Sequence, residues 1–345
     1  MAAATRRRRS MSAGYAGARP SARARQWRES LDMLRELRRS AAPPDVAAWN
    51  AAMSACARSR EWARALALFL DLATRGGGEG GTPSPDLVSM NIAVGACAVG
   101  RLWQPALQCL EQAGREADVV TYSAAIGACR AGGQWPRALC LLEEMLQEGV
   151  LPDEFSYGSA ITACGEAAQW TLALELFEEA APARGGPGRG LVLHNAAAGA
   201  CERGHQWQTS LALLQAAGCR GLAPDAVSEG IIVSALGRSR HWERAVFHTV
   251  NLLASAGKQL PLPVLGAALC ACAGAARWRQ SLALLVAARK VQRRPDAAAF
   301  GAGVSACARA GRWQLAAELA AEASRPARFY EGTRCGARDR SRMWG

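Results

Sequence analysis

Cysteine and histidine are the residues of this 345-residue chain that could bind a metal, act as nucleophiles or form disulfides. There are twelve Cys and four His, but only Cys270 and Cys272 lie close together, and no other pair has the spacing of a zinc site. The chain lacks the His-x-Glu and Pro-Cys-x-x-Cys motifs of zinc deaminases, and it lacks a glycine-lysine loop for phosphate. We therefore expect no enzymatic activity, no metal, no cofactor and no small-molecule substrate.

The Cys residues follow a repeat that also includes Trp and Asp. Nine Trp, from Trp27 to Trp313, are separated by 35, 41, 32, 35, 37, 35, 36 and 35 residues. Six residues before each Trp from Trp62 onward there is a Cys, with Leu236 as the one exception. Eleven residues before that position there is usually an Asp. Three columns with one period indicate an array of similar structural units.

The unit at residues 119–153 shows what each repeat contains. Its first half, from Tyr122 to Cys129, has apolar residues at i, i+3, i+4 and i+7, which is typical of an amphipathic helix. Two glycines then predict a tight turn, and a second amphipathic pattern begins at Trp135. A single helix pair cannot bury these faces, so neighbouring pairs must stack. We expect the periodic Trp and Cys side chains to be buried in the resulting core.

The net charge of +12 belongs mainly to the ends of the chain. Residues 1–45 contain eleven Arg and four acids, and the tail from Arg325 contains six Arg and two acids, which leaves a net charge of +1 between them. Residues 1–25 are rich in Arg and contain no acid, which resembles an organelle transit peptide or a basic arm. No apolar stretch is long enough to cross a membrane. We expect a degenerate repeat at 26–45, an array at 46–331 and a disordered basic tail at 332–345.

The details of the repeat resemble those of the pentatricopeptide repeat family. Trp begins the second helix rather than the first, the run Val120-Thr121-Tyr122-Ser123 begins a unit, and Gly-Val-Leu-Pro-Asp closes it at residues 149–153. The resemblance covers about residues 46–331. It implies an all-α fold, a right-handed α-solenoid of about eight to nine repeats, with no appended catalytic domain. It also implies selective binding of single-stranded RNA, with one base per repeat.

In this family a polar residue near the start of the first helix pairs with the last residue of its repeat, and the two contact one base. The resemblance therefore implies recognition of U by Asn50 with Asp86, by Asn91 with Asp118 and by Asn195 with Asp225. It implies recognition of G by Ser123 with Asp153. The residues expected to sandwich each base are Ala47, Val88, Val120 and Val192. The implied target is a short U-U-G-N-U segment.

Other repeats depart from this pattern, since glycine occupies the base-contacting position at 158, 230, 266 and 301. Their closing positions are Gly190, Pro261, Asp296 and Glu331, so none of them has a complete pair. Cations recur two residues after the Cys column, where the family contacts the RNA backbone. The alternative is that these cations only neutralise the helix C-termini. They are Arg58, Arg203, Arg238 and Arg309.

A protein-interaction scaffold without RNA binding is the alternative function, because extended helical surfaces also bind proteins. The near-neutral middle of the chain favours it. The Asn–Asp pairs and the periodic Arg favour RNA, with other RNA-processing proteins as possible partners. If residues 1–25 are a transit peptide, the chain acts in a mitochondrion or plastid; otherwise it is cytoplasmic.

Overall fold

The computed structural model describes residues 22–39, 44–75, 84–181, 189–255, 261–290 and 297–323. Regular structure in these ranges consists of seventeen α-helices and one short 3₁₀ helix, which confirms the predicted helical-repeat fold. The expected basic tail and most of the N-terminal segment lie outside the described residues. None of the described helices is both long and apolar enough to cross a membrane.

The chain divides into two compact units. The first contains Met1–Ala163 with Ala183–Pro187, and the second contains Cys164–Pro182 with Gly188–Gly345, so the boundary falls near the end of the eighth helix. The first eight helices are α1 (Ala22–Arg39), α2 (Val46–Arg58), α3 (Trp62–Arg75), α4 (Leu87–Gly100), α5 (Trp103–Ala113), α6 (Val119–Ala131), α7 (Trp135–Gln147) and α8 (Glu154–Glu166).

The second unit continues the same alternation of helices, each second helix again beginning at a Trp. Its helices are α9 (Trp170–Glu179), α10 (Leu191–Arg203), α11 (Trp207–Cys219), α12 (Ala226–Arg238), α13 (Trp242–Ser255), α14 (Leu262–Gly274), α15 (Trp278–Lys290), α16 (Ala297–Arg309) and α17 (Trp313–Ala323).

Within each unit, the two helices of a repeat pack together and the first helices of successive repeats also pack side by side. In the first unit α2 packs on α4 and α4 on α6, and in the second unit α10, α12, α14 and α16 pack in the same sequence. Small residues allow this close approach: a Cβ added at Gly237 would lie 2.7 Å from the Cβ of Ala271. The first helices therefore form one layer of each unit, and the second helices lie against that layer.

The turn between the two helices of a repeat has the same geometry in every repeat. In the first of them, the N–H of Glu61 donates to the carbonyl of Cys56 (3.0 Å), and the N–H of Arg60 donates to the carbonyl of Ala57 (3.1 Å). This is the Schellman arrangement, which requires a left-handed residue. That residue lies two positions before each Trp of the column from Trp62 to Trp313 and has a φ between 55° and 72°. It is glycine only at Gly133 and Gly311; the others are Arg60, Arg101, Ala168, His205, Arg240 and Ala276.

We expect Ala276→Gly to raise the free energy of unfolding by about 0.5–1 kcal/mol, because an L side chain at φ 55° is strained and glycine is not. The matched control is Ala275→Gly, where φ is −92° and glycine removes no strain. That variant should be less stable than the wild type. Chemical denaturation of the full chain measures both changes, and equal destabilisation by the two variants would contradict the expectation.

The periodic Cys and Trp residues differ in burial. All seven Cys of the column, from Cys56 to Cys307, have no exposed surface, as predicted. Burial raises the pKa of the Cys97 thiol to about 12, so this side chain stays uncharged in the core. The periodic Trp residues are less buried than predicted: Trp27 is buried, the next seven are half-buried, and 69% of Trp313 is exposed. Several of the half-buried indoles still pack against the core, namely Trp62, Trp207, Trp242 and Trp278.

The half-burial of the Trp rings follows from what each ring contacts. The indole of Trp103 lies on the C-terminal end of the next first helix, where a Cβ added at Gly132 would lie 2.7 Å from the ring. In the second unit the residue before the next Trp covers part of the ring, as the His241 ring does 4.8 Å from that of Trp207. The indoles of Trp103 and Trp207 thus contact the next repeat as well as their own. Trp313 is exposed because no described helix follows its repeat.

Candidate nucleic-acid interface

Three Asn–Asp pairs predicted from the sequence are hydrogen-bonded in the structure. Each Asn lies one turn into a first helix, and each Asp is the residue before the next first helix. The Nδ2 of Asn50 donates to Asp86 (3.0 Å) in the first unit. There the Nδ2 of Asn91 also donates to Asp118 (3.4 Å). In the second unit the Nδ2 of Asn195 donates to Asp225 (3.2 Å). Each pair therefore joins two successive repeats.

The Asp of each pair also caps the helix that follows it. One oxygen of Asp86 accepts a hydrogen bond from the N–H of Ser89 (2.7 Å), which is the third residue of α4. The Ser89 hydroxyl lies 3.4 Å from the N–H of Asp86, which completes a capping box. The same capping box occurs at Asp118 with Thr121 and at Asp225 with Ser228. Helix capping thus fixes the position of the carboxylate that the Asn amide contacts.

These carboxylates are ionised at neutral pH. Burial alone would raise the pKa of Asp86, but hydrogen bonds from Ser89 and Asn50 outweigh that effect and lower the pKa below its ordinary value. Burial is likewise outweighed at Asp118 and Asp225, mainly by hydrogen bonds from Thr121 and Ser228. An ionised carboxylate only accepts hydrogen bonds, so the amide must turn its NH₂ group toward it.

Ser123 and Asp153, the fourth predicted pair, are not hydrogen-bonded to each other. The Ser123 hydroxyl donates to the carbonyl of Val120 (3.1 Å) in its own helix, and the side chain is buried. Asp153 accepts from the N–H and hydroxyl of Ser156 instead (2.8 and 2.7 Å). A serine side chain is shorter than that of asparagine, so its hydroxyl bonds locally rather than across to the next repeat. This position therefore lacks the arrangement of the Asn pairs.

The predicted base-sandwiching valines are exposed apolar side chains beside these pairs. Val88, Val120 and Val192 expose 54%, 57% and 57% of their surface. Two residues in the same position, the second of a first helix, are missing from the sequence prediction. They are Phe155, which is 61% exposed, and Val227, which is 57% exposed. Both lie two residues after an Asp of the periodic column, and that spacing could have identified them.

The repeats with glycine at the predicted base-contacting position have no pair like the Asn–Asp pairs. Gly190, before α10, and Pro261, before α14, make no side-chain cap, and the third helical residues that follow are Leu193 and Val264. The predicted partners Asp296 and Glu331 lie outside the described residues. Within the described ranges, hydrogen-bonded Asn–Asp pairs are thus confined to three repeats.

Two of the four periodic Arg residues, Arg238 and Arg309, contact the first helix that precedes them in the chain. The Nε of Arg238 lies 2.7 Å from a carboxylate oxygen of Glu202, and a guanidinium N–H of Arg309 reaches the carbonyl of Ala273 at 3.5 Å. Arg58 is exposed and Arg203 is half-buried. The contact of Arg309 with a carbonyl fits the alternative in which these cations stabilise helix C-termini, whereas Arg238 makes an ion pair with an acidic side chain. These two contacts leave fewer cations free to bind RNA phosphates than the sequence predicted.

The comparisons with known proteins agree with this architecture. Residues 117–166 match the PPR repeat family, and residues 47–76 match the PPR repeat. The crystal structure of the pentatricopeptide repeat protein PPR10 from maize is 18% identical with a TM-score of 0.50; the match covers 91% of this chain and 48% of that one. PPR10 in complex with an 18-nt psaJ RNA element is 13% identical with a TM-score of 0.55, covering 89% and 48%. Curated protein sequences give no match.

The fold is that of a helical-repeat protein, and two stretches of the chain, residues 47–76 and 117–166, match the pentatricopeptide repeat. The chain spans about half the length of the PPR10 structures that it matches.

Proposed function

We propose that this chain binds single-stranded RNA selectively, with uridine preferred at each of the three Asn–Asp pairs. The observation that carries the proposal is the hydrogen-bonded pair itself, held at the start of a first helix beside an exposed apolar side chain. The structure of PPR10 with an RNA element supports RNA as the class of ligand. The order of the three pairs along the chain gives the U positions of a preferred U-U-G-N-U segment, in which the G rests on the sequence resemblance of Ser123 and Asp153 alone.

The chemistry of the amide suits a uracil edge. A side-chain amide has two N–H donors and an oxygen with two lone pairs. The Asp takes one N–H, which leaves one donor for O4 of uracil and an oxygen that can accept from its N3–H. The exposed Val two residues after the Asp supplies an apolar surface for the face of the same base. Donor, acceptor and apolar surface thus converge where one nucleotide would lie.

We also propose a role in organellar RNA metabolism, such as processing, stabilisation or editing through recruited proteins. This finer role rests on the acid-free, Arg-rich composition of residues 1–25. A fusion of these residues to a fluorescent protein tests the location: import into a mitochondrion or plastid supports it, and a cytoplasmic signal contradicts it.

A protein-interaction scaffold is the second candidate, and one observation favours it. Arg238 is already paired with Glu202, and the middle of the chain is nearly neutral, so the electrostatic attraction for RNA is modest. A protein-interaction scaffold, however, would not require Asn–Asp pairs to recur at the same position of successive repeats. Selection from a pool of random RNA separates the two functions: enrichment of U-rich single strands supports RNA binding, and flat recovery supports the scaffold.

The direct test is replacement of Asn91 and Asn195 by Ala. Each substitution should weaken binding to an RNA containing U-U-G-N-U about tenfold, because each removes the donor and acceptor for one base. The full chain and the RNA are mixed in a fluorescence-anisotropy titration. The control is Asn251→Ala, an exposed Asn on a second helix, which should bind like the wild type. Unchanged affinity in both variants would contradict the proposed function.

A further inference from the structure

A hydroxyl group approaches the amide oxygen of every paired Asn. The Ser89 hydroxyl lies 2.6 Å from Oδ1 of Asn50. The Thr121 hydroxyl lies 2.5 Å from Oδ1 of Asn91, and the Ser228 hydroxyl lies 2.8 Å from Oδ1 of Asn195. Each is the third residue of a first helix, and none exposes more than 1% of its surface. These hydroxyls are therefore too deep to touch RNA, although they contact the group proposed to do so.

The proton of each hydroxyl lies between two acceptors. The Ser89 hydroxyl is within hydrogen-bond distance of both Asn50 Oδ1 (2.6 Å) and Asp86 Oδ1 (2.7 Å). The Asn50 NH₂ group donates to Asp86, which leaves the amide oxygen facing the hydroxyl. Two oxygens 2.6 Å apart repel unless a proton lies between them, so a hydroxyl proton shared by the carboxylate and the amide oxygen stabilises this orientation of the amide. Each Asn amide is thereby held at both of its ends.

The hydroxyl is present after every paired Asn. After each of the three paired Asn residues, the third residue of the next first helix is Ser or Thr. After the glycines at 158, 230 and 266, the same position is Leu193, Val264 and Ala299. Ser156, which follows Ser123, has the same hydroxyl, and it bonds to Asp153. The hydroxyl thus belongs to the capping arrangement with Asp, and it also contacts an amide oxygen where the preceding repeat has Asn.

We propose that Ser89, Thr121 and Ser228 are positioning residues that determine specificity, because they fix the orientation of the Asn amide and so favour uridine over cytidine. This inference rests on the proposed function. Uracil presents an N3–H donor beside the O4 acceptor, whereas cytosine presents an N3 acceptor beside an N4 amino donor. The two edges have opposite order, so an amide fixed at both ends matches one of them. An amide free to turn over can match either.

The test compares Ser89→Ala with the wild type on two RNAs that differ only by U or C at the base assigned to Asn50. Alanine keeps the backbone N–H that Asp86 caps, so the helix remains capped. The ratio of the two dissociation constants should fall about fivefold, which is the effect of losing one hydrogen bond. Ser89→Thr should restore the ratio, since Thr121 makes the same contact.

The matched control is Ser156→Ala, which removes the same helical hydroxyl where no Asn amide depends on it. It should leave the U-to-C ratio at the Asn50 base unchanged. If Ser89→Ala also leaves that ratio unchanged while the wild type prefers U, the positioning role is wrong and RNA binding stands. If the wild type binds neither RNA, the proposed function is wrong and this inference with it.

Discussion

Phe155→Ala should weaken binding to single-stranded RNA by about thirtyfold, since stacking of a base on an aromatic ring contributes about 2 kcal/mol. Phe155 is the second residue of α8 and has 61% of its surface exposed. The equivalent residues Val88 and Val120 are smaller apolar groups. Because Phe155 follows Asp153 by two residues, its ring would face the base proposed for the Ser123 repeat, where Ser123 and Asp153 are not hydrogen-bonded to each other. We therefore expect stacking to dominate there.

The control for this prediction is Phe247→Ala. Phe247 is 69% exposed but belongs to the second helix α13, so it does not occupy the second position of a first helix. An anisotropy titration should show wild-type affinity for this variant, and circular dichroism should show that both variants keep their helices. Equal affinities of the Phe155 and Phe247 variants would exclude a stacking role for α8.

The helices and their boundaries follow closely from the sequence because several local signals agree in each repeat. Each Asp of the column with a described cap begins a first helix, and each Trp begins a second one. The Cys column coincides with the carbonyl that accepts the closing hydrogen bond of the Schellman turn, as at Cys97 with Leu102 (2.9 Å). Caps, turns and apolar faces are short-range features, so one sequence contains enough information to locate them.

The interface was less predictable because it depends on contacts between repeats. The sequence contains Asn50 and Asp86, but it does not show that Ser89 bonds to both of them. Nor does it show that the Ser123 hydroxyl turns back to its own helix. Side-chain length and competing local acceptors decide these contacts. The burial of the periodic Trp side chains was hard to predict for a related reason. An indole that contacts two repeats has the same sequence spacing as one that lies inside a single core.

Each proposed base site therefore exists only while two repeats are packed together. Asn91 belongs to α4, whereas Asp118 and Thr121 belong to the start of α6. Any substitution that loosens the packing of α4 on α6 should therefore weaken this site as well as the fold. RNA binding should in turn stabilise the packed repeats, because the bound state requires them.

The strongest test of this coupling is Ile126→Ala in α6. Ile126 has no exposed surface, so its truncation should leave a cavity and lower the free energy of unfolding by about 2–5 kcal/mol. Leu146→Ala in α7 removes a similar side chain that is 42% exposed and should cost less than about 1 kcal/mol. Chemical denaturation followed by circular dichroism gives both values. Added U-rich RNA should shift the midpoint of the Ile126 variant upward, and a large loss of stability with wild-type RNA affinity would refute the coupling.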